Sequence, residues 1–356
     1  MLQRFKNAVS LPLVLFFIAW MLLHAAQSSQ AAFHAMQLAA QTLIPAVFPF
    51  CVLSAFLLER DVPSRWKRPL APLMTRVFGL DGACGAAWVL GVLCGYPIGA
   101  FVLTQLYLQR EISRESAERA LGFCNNAGPG FLFAVAGGAM LRSEEAGLLL
   151  LLVQFFAAQL TGLFFRGMPS VFSQRSAKKQ PTSLPAALTN AVSCAAQTAL
   201  QISGLLVFFS ITSSLLLPLL KPILPPSALA VFSGLLEVTS GLHAVAMLPI
   251  SLQKKFVLFS ALLGWSGFCV HAQVLSIVLP HGLRTQLYWK EKLLQSALCT
   301  VFSMLLCRLF PNTEVALACS AAPTPGQFFF LLFWALGSVF LFAIFALPFY
   351  NRRKKP

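Results

Sequence analysis

Long apolar runs alternate with short polar gaps along the whole chain. The apolar segments lie at about 10–26, 38–58, 82–108, 120–141, 144–165, 187–217, 226–250, 254–280, 291–310 and 325–349. A transmembrane helix needs roughly 20 apolar residues, whereas a barrel strand needs about half that number. The pattern therefore predicts an all-α polytopic membrane protein.

The two halves of the chain share an internal repeat. The word Ala-Ala-Gln-Thr occurs at 39–42 and again at 195–198. Further along each half lie two apolar segments that Gly, Pro, Asn or Ser interrupts. A repeat with interrupted membrane segments is typical of transporters, because backbone that leaves a helix inside a bilayer needs other polar partners.

These interruptions supply the candidate substrate-binding residues. They fall at 95–99 and 125–130 in the first half, and at 237–241 and 264–267 in the second. Pro and Gly end a helix and expose the N–H groups of the next one, which bind carboxylates or phosphates, and amides bind polar groups without a buried charge. The predicted binding residues are Gly95, Tyr96, Pro97, Gly99, Asn125, Asn126, Gly128, Ser240, Gly241, Ser266, Gly267 and Gln273. A packing kink and interhelical hydrogen bonds are the alternative explanations.

Two ionisable residues within apolar segments are candidates for proton or ion coupling. Glu237 is costly to bury unless it is protonated, paired or next to water. His271 follows Gly267 by four residues, and a histidine titrates near neutral pH. The alternatives are structural: Glu237 paired with His243 or His271, or His271 hydrogen-bonded to another helix.

Composition excludes several classes of protein. The chain is 58% hydrophobic and 10% charged, with a mean hydropathy of +0.76, whereas a soluble protein is about 25% charged. The net charge of +15 comes from basic residues in the short gaps, which indicates the positive-inside rule and lipid headgroups rather than nucleic acid. The nine cysteines show no metal or disulfide spacing. Without a P-loop, a dinucleotide turn or paired catalytic carboxylates, neither an enzyme nor a cofactor is expected.

The basic gaps also predict a topology. If segments 82–108 and 226–250 are re-entrant hairpins, the basic gap at 110–119 and the central linker both lie inside; if they span fully, both lie outside. Lys254 and Lys255 then lie outside, which counts against the hairpins. The hairpin arrangement gives about eight full spans and two inverted repeats.

This arrangement divides the chain into five parts. They are an N-terminal transmembrane helix at 1–30, repeat I at 35–166, a basic cytoplasmic linker at 167–186, repeat II at 187–311, and a C-terminal transmembrane helix with a basic tail at 324–356. The first segment fits a cleaved secretory signal as well as a retained helix, and the retained helix is favoured because the rest of the chain is membrane. Within repeat I, Ser113 is predicted to cap a short helix.

Several phrases carry a resemblance to a known family. Gly91 to Phe133, with its words at 95–99, 117–119 and 123–126, resembles the sporulation integral membrane proteins with nucleoside-recognition (Gate) domains. The phrase at 267–273 resembles the repeat partner, and the match covers most of 35–310. The resemblance implies two Gate-like repeats and the movement of dipicolinic acid across the membrane around the forespore. The expected partners are membrane lipid, through the basic gaps, and further copies of the chain or other sporulation membrane proteins.

Three functions compete at this point. Helix N-termini, amides and an aromatic ring suit a planar aromatic dicarboxylate, so a carrier of a small organic anion is favoured. No obvious arginine lies inside an apolar segment to bind such an anion. A carrier of nucleosides or other neutral solutes and a non-transporting sporulation scaffold are the alternatives.

Overall fold

The computed structural model describes residues 2–60, 68–167 and 183–309, whose regular structure is helical. Helix α1 (Leu2–Leu23) is followed by a bend of 96° into α2 (Ala25–Leu38). A π-helical turn, Ala39–Leu43, joins α2 to α3 (Ile44–Glu59), so the first Ala-Ala-Gln-Thr word lies in this turn. The helix predicted at 38–58 therefore extends back to residue 25.

The next predicted segment folds into a helical hairpin, hairpin I. Its arms are α4 (Cys84–Cys94) and α5 (Ile98–Leu108). The arms turn back on each other, because a Cβ added to Gly91 would lie 3.2 Å from the Gly99 Cα atom. Small residues at both positions permit this close backbone approach.

An interrupted helix follows hairpin I. Its first part, α6 (Arg114–Ala120), begins as predicted at Ser113, whose hydroxyl accepts a hydrogen bond from the Ser116 N–H, so the predicted cap is confirmed. Residues 125–128 are not helical, and a π-helix (Phe131–Leu141) forms the second part. Helix α7 (Glu144–Phe164) closes the first half.

The second half repeats this order of elements. The long helix α8 (Leu184–Leu220) precedes hairpin II, whose arms are α9 (Pro226–Leu236) and α10 (Val238–Ala246). The arms meet at two glycines, since a Cβ on Gly241 would lie 2.0 Å from the Gly234 Cα atom. The interrupted helix is α11 (Leu252–Trp265) followed by α12 (Gly267–Val278), and α13 (Gln286–Leu309) is the last described helix.

The two halves pack against each other along α2, α3 and α8. Gln27 donates a hydrogen bond to the Ser214 carbonyl at 2.5 Å, and Ser210 donates to the Ala31 carbonyl at 3.3 Å. Along this contact the residue numbers rise in α2 and fall in α8, so these two helices are antiparallel. Two large buried clusters lie beside this contact, one around hairpin I and one around hairpin II.

Within the described residues, several helices are long and apolar enough to cross a membrane. Four single helices in the described part of the chain meet this criterion: Glu144–Phe164, Leu184–Leu220, Leu252–His281 and Gln286–Leu309. The number of candidate spans there rises to 5 if the bent pair Val14–Leu23 and Ala25–Gln41 is one span. The arms of hairpin I have 11 residues each, about 16 Å of helix, and fall short of a bilayer core of about 30 Å. Most of the predicted linker at 167–186 and all of the segment at 324–356 lie outside the described residues.

Candidate functional site

The tip of hairpin I lies on the interruption at 125–130. The Tyr96 N–H donates to the Asn126 carbonyl at 2.7 Å. Gly95 has a φ of +80°, and a Cβ there would lie 2.5 Å from the Gly128 nitrogen. A Cβ on Gly99 would lie 1.9 Å from the Cys124 carbonyl oxygen. The structure therefore brings together the site residues predicted in the first half, including Pro97 between Tyr96 and α5.

The tip of hairpin II contacts the second interruption in the same way. Ser266 and Gly267 both have a φ of +79°, and a Cβ on Gly267 would lie 3.0 Å from the Val238 nitrogen. The buried Glu237 caps α10: its carboxylate oxygens accept from the Thr239 N–H at 2.8 Å and the Ser240 N–H at 2.7 Å. A carboxylate of the protein itself thus caps the N-terminus of α10.

The two tips face each other in the interior. Tyr96 packs against the buried cluster that contains Val238, and its hydroxyl is close enough to the Glu237 carboxylate for electrostatic interaction. Three predicted site residues lie elsewhere. Ser240 is exposed on α10, Gly241 packs inside hairpin II, and Gln273 donates to the Cys269 sulfur at 3.6 Å.

Sequence reasoning missed a buried polar face of α13. Tyr288, Glu291, Lys292 and Gln295 recur at helical spacing, and each side chain is 0% exposed. The Lys292 ammonium donates to the Asn125 carbonyl at 2.5 Å and to Gln295 Oε1 at 2.9 Å. Helix α13 therefore places a cation against the unwound backbone of the first interruption.

Carboxamides extend this contact across the two halves. Gln295 Nε2 donates to Asn126 Oδ1 at 2.6 Å and is 3.4 Å from Gln154 Oε1. The Asn126 amide nitrogen donates to the Phe123 carbonyl at 2.7 Å. Both ends of the Asn126 amide are thus used within the protein, which gives this side chain a structural role in the network.

Asn125 differs from its neighbour. Its backbone carbonyl accepts from Lys292, but its buried amide nitrogen and oxygen make no hydrogen bond of standard geometry within the described residues. This amide lies beside the Tyr288 hydroxyl, which is 2.8 Å from His271 Nδ1. The Asn125 amide, whose neighbour is the Tyr288 hydroxyl, is therefore a candidate to meet a ligand, as are the Tyr96 hydroxyl and His271 Nε2, which have no hydrogen-bond partner in the described part of the chain.

His271 lies in an aromatic cage at the other end of this chain of contacts. Its ring centroid is 4.5 Å from that of Trp265 and 4.6 Å from that of Trp289, and the Tyr288 ring is also in contact. The ring is 1% exposed. The hydrogen bond to Tyr288 matches the alternative in which His271 bonds another helix.

The charges at the site are not paired with each other. Among the residues that the structure describes, no carboxylate lies within ion-pair distance of Lys292. The neighbouring Glu291 points away, and its Oε2 accepts from the Gly122 N–H at 2.8 Å. The described residues contain no cluster of three metal-ligating side chains. The chemistry of the site is therefore that of a buried cation, amides and tyrosine hydroxyls.

The signal for α13 was present in the sequence. Tyr288, Lys292 and Gln295 follow a helical spacing, but Lys292 stands at the start of the apolar run at 291–310. A lysine at such an end commonly reaches back to the interface. Here α13 begins earlier, at Gln286, and other helices cover its first turns, so Lys292 is enclosed.

Comparison with known proteins gives one relative. The chain is similar to the "Sporulation integral membrane protein YlbJ" of Bacillus subtilis (strain 168), with 27% identity over 343 residues, which covers 86% of this chain and 84% of that protein. No protein-family profile matches the chain, and no solved structure matches it. The apolar helices and this relative identify a multi-pass integral membrane protein, similar over most of its length to a sporulation membrane protein.

Proposed function

We propose that the protein is a secondary carrier of a small organic anion, with dipicolinate as its substrate, and that it has no enzymatic activity. The observation that carries the proposal is Lys292, an ammonium that is 0% exposed and has only neutral acceptors among the described residues. An isolated buried charge is costly and persists where function needs it. A substrate carboxylate would give Lys292 the ion-pair contact that it lacks among the described residues.

The surroundings of Lys292 suit a planar aromatic dicarboxylate. The Asn125 amide offers a further donor, and Tyr288 and Tyr96 offer aromatic faces and hydroxyls. Aromatic rings stack on a flat ligand, and amides fix the orientation of its polar groups. Because Lys292 and Gln295 are 0% exposed, this conformation is closed, and a ligand enters only when the helices around the site move apart.

In the proposed transport mechanism, two inverted repeats exchange their conformations. The antiparallel contact of α2 and α3 with α8 supports an inverted pair, because equivalent helices related by an axis in the membrane plane run in opposite directions. Reciprocal contacts add support: α5 touches α12, and α10 touches Phe131–Leu141. In this proposal hairpins I and II are re-entrant, eight segments span fully, and the repeats are Gate-like.

The proposed topology places the polar loops of both repeats at one face. The Arg284 N–H donates to Glu118 Oε1 at 2.8 Å, and Arg114 donates to the Gly282 carbonyl. The topology assigns both the gap at 110–119 and the loop at 281–285 to the cytoplasm. Their contact supports this assignment.

The similarity to a sporulation membrane protein supports a role in endospore formation. Movement of dipicolinate across the membrane around the forespore is the form of that role that we propose. A carrier of nucleosides or other neutral solutes is the second candidate, because the buried Asn125 amide also suits an uncharged polar ligand. The charge of Lys292 favours the anion.

Equilibrium binding of radiolabelled dipicolinate to the purified protein tests this proposal. Lys292→Met should abolish binding and Lys292→Arg should retain part of it. Lys290→Met is the matched control, since Lys290 lies exposed two residues away. Equal binding by the Lys292→Met and Lys290→Met variants would overturn the anion proposal, and binding of uridine but not dipicolinate would favour the neutral-solute carrier.

A further inference from the structure

Glu291 is a further buried ionisable residue of the interior and has no part in the substrate site described above. Its side chain is 0% exposed, Oε2 accepts from the Gly122 N–H, and Oε1 is buried without a hydrogen-bond partner within the described residues. A Cβ on Gly122 would lie 2.1 Å from Glu291 Oε2, so the carboxylate lies directly on the backbone of the first interrupted helix.

We propose that Glu291 takes up one proton on Oε1 when an anion binds Lys292, so that the protein carries the anion and the proton together. This inference rests on the proposed function. In the proposed empty state Lys292 is protonated and Glu291 is ionised, and the two side chains bond different backbone groups. Dipicolinate is a dianion near pH 7, so its binding at Lys292 adds two negative charges to the interior. Protonation of Glu291 cancels one of them, which is favoured where the effective dielectric constant is low.

Other ionisable groups face Glu291 from α13, from α6 and from the first interruption. On the same helix, Lys292 and the Tyr288 hydroxyl are close to it. Arg119 faces it from α6, with its own contacts to the Gly79 carbonyl at 2.7 Å and to Glu115 at 3.8 Å. The Cys124 thiol faces it from the interruption.

Glu237 has partners for both oxygens, whereas His271 has one for Nδ1 and none for Nε2 within the described residues. Both oxygens of Glu237 cap α10, and His271 Nδ1 bonds the Tyr288 hydroxyl. Glu291 is also closer in sequence to the substrate cation than either of them. Proton and anion then share one helix, α13, and one movement of α13 exposes both.

Proton uptake on binding tests the inference directly. Dipicolinate is added to purified protein in weakly buffered solution near pH 7, and a pH indicator records the protons taken up. Wild-type protein should take up about one proton per dipicolinate bound, and its affinity should rise about tenfold per unit fall in pH. Glu291→Gln, which keeps an oxygen for the Gly122 N–H, should bind without proton uptake. Glu144→Gln, at an exposed carboxylate, should behave as wild type.

Each other outcome has a distinct meaning. Dipicolinate binding by the wild type without proton uptake, or with an affinity that is flat with pH, would overturn the coupling and leave the carrier proposal standing. Proton uptake that persists in Glu291→Gln would assign the proton to another group, such as Lys292, and would also overturn it. Absence of binding by the wild type would refute the proposed function itself.

Discussion

The adjacent residues Asn125 and Asn126 should respond in opposite ways to the same substitution. The Asn126 amide holds Gln295 Nε2 at 2.6 Å and the Phe123 carbonyl at 2.7 Å, so Asn126→Ala leaves two buried groups without their partner. Each such group costs about 1–3 kcal/mol, and Gln154 still lies 3.4 Å from Gln295. We expect Asn126→Ala to lower the free energy of unfolding by about 2–4 kcal/mol.

Asn125→Ala should spare stability and impair binding. Its amide makes no hydrogen bond of standard geometry in the described structure, so its removal should change the free energy of unfolding by about 1 kcal/mol or less. If the amide binds the substrate, dipicolinate affinity should fall by about 5- to 150-fold, which corresponds to about 1–3 kcal/mol.

The assay combines denaturant unfolding in detergent, followed by tryptophan fluorescence, with equilibrium binding of labelled dipicolinate at 25 °C. Two results would refute the assignment. Equal destabilisation by both substitutions would give the Asn125 amide a structural role. Unchanged affinity in Asn125→Ala would place the ligand elsewhere.

Three further predictions concern the fold and its movements. Gly99→Ala should destabilise the protein by about 1–3 kcal/mol, because its Cβ would lie 1.9 Å from the Cys124 carbonyl oxygen, whereas Gly130→Ala, with open space around it, should be neutral in the same unfolding assay. In a background without native cysteines, Arg284→Cys and Met247→Cys should react with an impermeant maleimide from opposite sides of the membrane; reaction from one side would contradict the topology. Glu118→Ala removes the contacts to Arg114 and Arg284. In a variant that retains the buried Cys124 as its single cysteine, this substitution should speed the reaction of Cys124 with a permeant maleimide. An unchanged reaction rate would exclude this contact as a gate.

The interruptions were predictable because their cause is local. Pro97 cannot donate a backbone hydrogen bond, and Gly95 adopts a φ of +80°, which other residues rarely reach. The helix cap at Ser113 has the same local origin, since its hydroxyl bonds a backbone N–H three residues on. Such features follow from a few neighbouring residues.

The main polar group of the site could not be located in this way. Whether Lys292 reaches water or stays enclosed depends on the helices packed around α13, which are distant in the sequence. The different roles of Asn125 and Asn126 likewise depend on where each side chain points at a backbone that is not helical. Helical periodicity gives no direction at such a point.

Uptake of labelled dipicolinate into sealed proteoliposomes tests the central claim most directly. The account predicts saturable uptake by the wild-type protein, retained in the Lys290→Met variant and lost in the Lys292→Met variant. Western blotting of the vesicles would show equal amounts of each protein. Uptake by the wild type no faster than by empty vesicles, or equal uptake by the Lys292→Met variant, would contradict it.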